Sequence, residues 1–427
     1  MKAIVDCNNF YCSCERLFMP HLDNKPVVVL SNNDGCIVSR SDEAKALGIP
    51  MAEPYFMAKP IIKMHQVEVF SSNYHLYGDL SWRVMETLRQ LVGTANVEVY
   101  SVDECFIELG EIPADKLRPY ILNMRHTIEQ WTGIKVSIGV APTKVLCKIA
   151  NHIAKKNKIK TSCVAILETP EKIRTALQKT PVKDVWGVGR QYAKKLTDVW
   201  GIYDAYQLSR MSEAFAHKQL GGVVGVRLIK ELNGWPAKDL QEELVNKKMI
   251  ATTRMFGIPV TAIADIKEAI ATYTSRAAEK LRRQYCAAKG ISIFVVTKEQ
   301  SHQQNFKQYG TITKHVLLPN ATSATNELIK PAVKLVDELF EQGQTYKKAG
   351  VMLSHIVPDS AIQANLFVTN TKNGERKLMT MIDNINFSQR DDVLKFASSG
   401  TSRDWKMRQE HRSDRYTTRW DELYEIS

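Results

Sequence analysis

The chain has 427 residues, 44% hydrophobic and 24% charged, an ordinary globular balance that excludes a fibrous or disordered chain. That length exceeds one hydrophobic core and predicts roughly three or four domains. No uncharged apolar run reaches the roughly 18 residues of a membrane span, and MKAIVDCNNF lacks a signal peptide's apolar h-region, so a cytoplasmic protein is expected.

MKAIVD alternates into a first strand that breaks at Cys7-Asn8-Asn9. Residues 26–31 (PVVVLS) predict a short buried strand, followed by the turn Asn32-Asn33-Asp34-Gly35. Residues 41–47 (SDEAKAL) predict a helix stopped by Gly48 and Pro50. VEVY and CFIEL, on either side of the acidic SVDE, predict strands, and so do residues 133–141 (GIKVSIGVA). Strands and helices mix without regular βαβ alternation over the first 165 residues, which makes the fold class α+β. From about 169 to 233 the pattern turns mostly helical, with glycine breaks at WGVGR and LGGVVG. Residues 233–248 combine a Gly-x-Pro break with dense charge and read as a linker. A second mixed unit follows, with a long helix near 266–285 and strands at ISIFVV and KAGVML. The last 70 or so residues are expected to be polar and irregular.

Cys7, Cys12 and Cys14 cluster, but no second Cys/His pair follows at zinc-site spacing, so the eight cysteines are expected as buried free thiols. Charge is uneven along the chain. Residues 1–110 hold 9 Lys+Arg against 14 Asp+Glu, a net of −5, and residues 111–427 hold 49 against 32, a net of +17. An acidic amino-terminal part joined to a basic remainder points to a polyanion partner and a separate cation site.

Asp103 and Glu104 sit between two strand-like runs. Neighbouring side chains of a strand point to opposite faces, so the two converge only if SVDE is a bend. A hairpin beside the end of the first strand would bring Asp6 next to both. Three close carboxylates repel one another unless divalent cations compensate them, and hard oxygen ligands suit Mg²⁺. Two such ions would stabilise the attacking and leaving oxygens of an in-line phosphoryl displacement. The residues alone leave open an acidic pair that merely caps an exposed hairpin.

The stretch D-x-N-N-F-Y-x-x-C-E (Asp6 to Glu15), with Y-S-V-D-E (Tyr100 to Glu104), resembles the Y-family translesion DNA polymerases, in particular the UmuC type of the bacterial SOS response. VVVLSNNDGC (27–36), EAKALG (43–48), FSSNYHLYGDLSWRVM (70–85), AKKN (154–157), DVWGVGR (184–190), RAAEKLR (276–282), YKKAGVML (346–353) and RYTTR (415–419) are similar to that family as well. The resemblance implies that Asp6, Asp103 and Glu104 hold two Mg²⁺ ions, with the Cys7 main-chain carbonyl as a further ligand. Tyr11 would be the steric gate against ribonucleotides, with a packed core aromatic as the alternative, and Phe10 before it would also contact the nucleotide. Lys45 and Lys155 would contact the incoming dNTP. Many relatives outside the UmuC group carry a Tyr three residues before Lys45, where this chain has Asp42, which points to Arg40 as the replacement contact.

Three further features bear on nucleic acid. The helix expected over residues 143–156 places Lys144, Lys148 and Lys155 within about 40° of one another, away from Leu146, Ile149 and Ile153. Six lysines and no acid lie between Lys144 and Lys160, which favours a phosphate-facing stripe over a merely solvated face. WGVGR resembles the hairpin of a helix-hairpin-helix element, in which Gly187 and Gly189, with Arg190 behind them, let backbone N–H groups approach a DNA phosphate. QANLF resembles the peptide by which bacterial polymerases dock on the sliding clamp, with Gln363, Leu366 and Phe367 as anchors.

These readings imply a right-hand polymerase. Its palm would span residues 1–10 and 77–165, with fingers at 11–76 and a helical thumb at 166–233. A linker at 234–248 would lead to a little-finger DNA-binding domain at 249–354, and a tail would occupy 355–427. Its partners would be primer-template DNA, dNTPs, the sliding clamp, a UmuD-type accessory dimer and RecA. Two rivals remain at this point: another two-metal palm enzyme such as a nucleotide cyclase, and a non-catalytic DNA-binding subunit.

Overall fold

Six consecutive residues, Lys2–Cys7, are buried on both sides and form the central strand, β1, of the first sheet. The computed structural model describes residues 1–240, 247–297, 310–363, 373–389, 392–401 and 403–423. Chain order continues through β2 (Val27–Leu30), β3 (Ile37–Arg40), β4 (Glu68–Ser71), β5 (Val97–Val99), β6 (Glu104–Glu108), β7 (Val136–Ala141) and β8 (Val164–Ile166). The first sheet has the order β5-β6-β1-β7-β8, and β2, β3 and β4 form a separate sheet of order β3-β2-β4 inserted between β1 and β5.

Alternation along β1 divides its side chains between two cores. Ala3, Val5 and Cys7 pack under the helices Tyr74–Val92 and Ala114–Thr132. Ile4 packs with Phe106 under the helix Lys144–Lys156 and against the helical unit that runs from Pro170 to Leu232. Thr143 caps the Lys144–Lys156 helix by accepting a hydrogen bond from Leu146 N. One face of this sheet is therefore roofed by the lysine-bearing helix.

The second mixed unit is a four-stranded antiparallel sheet of order β11-β10-β12-β9, built from β9 (Ile250–Val260), β10 (Cys286–Thr297), β11 (Thr311–Thr322) and β12 (Tyr346–Pro358). The helices Ile263–Arg283 and Thr325–Leu339 cover one of its faces. The α+β class holds throughout, and all eight cysteines are free. No helix among the described residues is long and apolar enough to cross a membrane.

The expectation of an irregular tail is corrected. Residues Asn373–Ser388 form a helix, and Arg282 joins it to the Ile263–Arg283 helix through Asp383 at 2.6 Å. Beyond it Trp405 is 6% exposed and fills the core of the second mixed unit, beside the rings of Phe256 and Tyr273. The chain then crosses to the inserted sheet. Arg408 N and Glu410 N donate to the side chains of Asn33 and Asp34, each at 2.8 Å. His411 N donates to Ser71 Oγ, and Ser71 N donates to His411 O, each at 2.9 Å. Tyr416 finally stacks on Phe18 at 4.7 Å. Single anchors separated by polar residues make this attachment, so no period of 2 or 3.6 announces it.

Candidate active site

β1 pairs antiparallel with β6, and that register sets Asp6 opposite Glu104. Ser101, Val102 and Asp103 form the bend between β5 and β6, and Cys7 N donates to Asp103 O at 2.8 Å, which fixes the bend against the end of β1. The three sequence-predicted carboxylates thus come from two adjacent strand ends. Ser101 Oγ donates to Asp103 Oδ1 at 2.7 Å.

Asp6 is 4% exposed. Burial raises its pKa well above the usual carboxylate range, with the Lys155 ammonium pulling the other way. Burial also pushes Glu104 upward, but hydrogen bonds from Asp6 and Lys148 outweigh it and leave Glu104 low.

The lysine stripe turns inward rather than toward a groove. Lys155 Nζ lies 2.5 Å from Asp6 Oδ1, and Lys148 Nζ donates to both oxygens of Glu104 at 2.7 Å. Lys144 is corrected as a phosphate contact: it is 2% exposed, ion-paired to Glu98, and donates to Asp239 O at 2.7 Å. Three lysines on one helix face meet three acids on one sheet face because β5, β6 and β1 run side by side beneath that helix.

At the outer end of the stripe Lys45 and Lys158 both pair with Asp42, and Lys45 also donates to Asn9 Oδ1. Burial raises Asp42, but its hydrogen bonds from Lys158, Asn9 and Lys45 hold it far below the usual carboxylate range. Arg40 does not join this group, since its guanidinium donates to the Ile49 carbonyl. Sequence reasoning missed Lys158. Its signal is the lack of any acid among residues 144–160, which leaves that segment free to seek acids elsewhere.

Tyr11 is half-buried, and burial pushes its hydroxyl up to about 12. Its ring lies flat on Tyr77, 4.5 Å between centroids at 15°, with Tyr74 edge-on at 6.0 Å. Phe10 is corrected as a nucleotide contact: it is 4% exposed and belongs to the first core. Asn151, also missed, is 3% exposed and donates from Nδ2 to Asp6 Oδ2 at 3.1 Å.

Farther off, Gly187, Gly189 and Arg190 form an exposed hairpin, and Gly187 has φ +101°, a conformation that requires glycine. Gln363 is exposed, whereas Leu366 and Phe367 lie outside the described residues.

Asp6, Asp103, Glu104 and the Cys7 carbonyl offer only oxygen donors, a set that fits a hard divalent cation. The buried Asp6 carboxyl, which burial keeps from ionising easily even with the Lys155 ammonium beside it, is an observation in the same direction. Among the described residues no three metal-ligating side chains already close around one point. The Lys148 and Lys155 ammonium groups stand on Glu104 and Asp6 instead.

Comparison with known proteins follows the same division of the chain. Residues 5–152 match the impB/mucB/samB family, residues 247–366 match the carboxy-terminal domain of that family, and residues 376–426 match a domain of unknown function. The chain is 41% identical over 428 residues to Protein UmuC of Salmonella typhimurium, covering 100% of both chains. It is 38% identical over 430 residues to Protein ImpB of the same species, covering 99% of each. Among solved structures, a Y-family DNA polymerase chimera of Dbh and Dpo4 aligns with a TM-score of 0.68 at 20% identity, over 84% of this chain and 100% of the other.

Proposed function

We propose, since this chain belongs to the impB/mucB/samB family of UmuC-like Y-family translesion DNA polymerases, that Asp6, Asp103 and Glu104 are the catalytic carboxylates of its DNA synthesis in SOS mutagenesis. Membership implies metal-dependent nucleotidyl transfer to a primer 3′-OH and sets aside the cyclase and the non-catalytic subunit. The observation that carries the site assignment is the pairing of Asp6 with Glu104 beside the Cys7–Asp103 hydrogen bond.

Asp6, Asp103, Glu104 and the Cys7 carbonyl would hold two Mg²⁺ ions, which would supply charge neutralisation at the triphosphate and activation of the primer hydroxyl. Lys155 and Lys45, with Lys158 beside Lys45, then have an anionic partner other than Asp6 and Asp42 in the triphosphate of the incoming dNTP. Tyr11 closes on the sugar. A 2′-hydroxyl would overlap its ring, so ribonucleotides are rejected by a built-in clash.

The palm comprises residues 1–10 and 77–165, the fingers 11–76, the thumb 166–233, the linker 234–248, the little finger 249–354 and the tail 355–427. Family matches that end at 152 and resume at 247 support the thumb and linker between them. The hairpin of Gly187, Gly189 and Arg190, together with the +17 remainder, contacts DNA backbone. Gln363, Leu366 and Phe367 dock on the sliding clamp, and a UmuD-type dimer and RecA are the accessory partners.

Primer extension across an abasic site, with and without the clamp, the UmuD-type dimer and RecA, tests this reading. Extension that disappears in Asp103→Asn supports it. Extension that persists in Asp103→Asn, or no extension under any of these conditions, overturns it.

A further inference from the structure

A ring that excludes a 2′-hydroxyl by collision works only while it cannot swing aside. Tyr11 lies in the first turn of the helix Phe10–Phe18, nine residues long. A helix that short does not hold its own position in water. The Asn9 side chain makes no cap hydrogen bond to it, and Asn9 itself is in the left-handed region at φ 48°. Whatever keeps the Tyr11 ring in place must come from outside that helix.

Tyr77 supplies it. Tyr77 is 0% exposed, and its ring stacks on Tyr11 while its hydroxyl donates to Glu15 Oε1 at 2.5 Å. Residues 11 and 15 are one helical turn apart and share a face. The short helix therefore grips Tyr77 at both ends, by ring contact at residue 11 and by hydrogen bond at residue 15. Glu15 is 0% exposed, a costly place for a carboxyl unless its partner matters. Its Oε2 has no hydrogen-bond partner, although the Ser413 hydroxyl is close enough to offset part of the effect of burial.

Tyr77 is itself anchored. Asn73 caps the Tyr74–Val92 helix by accepting from Leu76 N. The same side chain donates from Nδ2 to Ser413 O and Oγ, each at 3.0 Å, and to Asp414 O at 3.1 Å. These residues belong to the segment that matches the domain of unknown function.

We propose that Tyr77 and Glu15 are positioning residues for sugar discrimination: they fix the Tyr11 ring, and the carboxy-terminal segment fixes them. The inference rests on the reading of Tyr11 as the sugar gate. A mobile Tyr11 still fills space but yields to a ribose, so the loss falls on discrimination and not equally on both nucleotides.

The test is the ratio of kcat/KM for dCTP over CTP opposite a template G, measured on the full-length chain under whichever accessory conditions support extension. Tyr11→Ala, Tyr77→Leu, Tyr77→Phe and the double variant Tyr11→Ala/Tyr77→Leu are compared. Tyr77→Leu should lower the ratio about tenfold, the size of one aromatic stacking contact. Tyr77→Phe keeps the ring and should restore most of that loss, and it keeps the question answerable if the leucine variant does not fold. The double variant should be no less selective than Tyr11→Ala alone, because Tyr77 acts through Tyr11. A wild-type ratio in both Tyr77 variants, with discrimination lost in Tyr11→Ala, overturns this inference and leaves the gate intact. A wild-type ratio in Tyr11→Ala overturns the gate and the inference together. Equal loss for dCTP and CTP in the Tyr77 variants marks a general folding role and also overturns it.

Discussion

Asp6 and Glu104 face one another because the backbones of β1 and β6 are hydrogen-bonded in register, whereas Trp405 and His411 are held by isolated anchors outside any ladder. In the first region neighbouring main chains dictate where each carboxyl sits, and helices press on both faces of the sheet. In the second, residues 403–416 lack regular structure, yet they join the core of one mixed unit to the inserted sheet of the other. Chemistry at a phosphate needs oxygens placed to a fraction of an ångström, which a sheet provides. A strap between units needs only enough anchors to resist separation.

Two substitutions pull the regions apart. Asp103→Ala should cost the polymerase about 10³-fold or more in rate, roughly 4 kcal/mol of transition-state stabilisation. Asp103 is partly exposed at a bend, so unfolding stability should shift by no more than about 1 kcal/mol. Single-turnover insertion and chemical unfolding on the same variant check this, and a loss of both together would break the contrast. Trp405→Ala should do the reverse. Removing a buried Trp costs about 3–5 kcal/mol, toward the lower end here because the Trp405 indole N–H already lacks a partner. Hydrogen exchange should quicken in β9 and the Ile263–Arg283 helix, and unchanged protection there would show that Trp405 is not an anchor.

The same contrast explains what could be seen in the sequence. VEVYSVDECFIEL shows two strand signals and a bend because apolar residues alternate on both sides of SVDE. Once both strands are placed, Asp6 has few other neighbours to meet. Lys144, Lys148 and Lys155 were visible as a stripe, but their partners were not. Periodicity says which side chains share a face and nothing about the sign of charge opposite, so the acids beneath the stripe have no signal of their own. Phe10 was drawn into the site by its neighbour Tyr11, although successive helical residues point about 100° apart. Trp405 has no signal at all, since an isolated aromatic in a polar stretch marks neither a strand nor a helix, and Tyr416 shows only within RYTTR, which marks the family and not a contact.

A smaller effect lies where the two regions touch. Burial raises Glu15 from its ordinary 4.5 to about 7, offset in part by the Tyr77 and Ser413 hydroxyls. Between those values the folded chain binds the proton that the unfolded chain has released. Stability from this group therefore falls as pH rises through that window, and the loss is complete above about 7. Its full size is at most about 3 kcal/mol. Glu15→Gln cannot ionise, and its amide oxygen still accepts from Tyr77. The stability advantage of the variant over wild type should grow from pH 4.5 to 7 and then level off, as read by denaturant unfolding across that range. Parallel profiles would mean that the carboxyl ionises in the fold as easily as in water.

Asn33 gives the smallest effect and the sharpest view of the strap. Its Nδ2 donates to Phe256 O at 3.1 Å, and its Oδ1 accepts from Arg408 N at 2.8 Å. One side chain thus ties the inserted sheet both to β9 and to the carboxy-terminal segment. Its φ of 61° lies in the left-handed region, so an alanine there would mix lost hydrogen bonds with backbone strain. Glycine adopts that φ without strain, and Asn33→Gly isolates the hydrogen bonds. Each contributes about 0.5–1.5 kcal/mol, so a loss of roughly 1–3 kcal/mol is expected for the pair. Because both bonds cross between units, the loss should appear as faster hydrogen exchange over residues 405–414. Asp6 and Glu104, held by their own ladder, should be unaffected in pairing, so β1 and β6 should exchange as in wild type. Equal acceleration in β1 would show that the strap and the carboxylate sheet open as one cooperative unit, and the two regions would then differ in construction but not in stability.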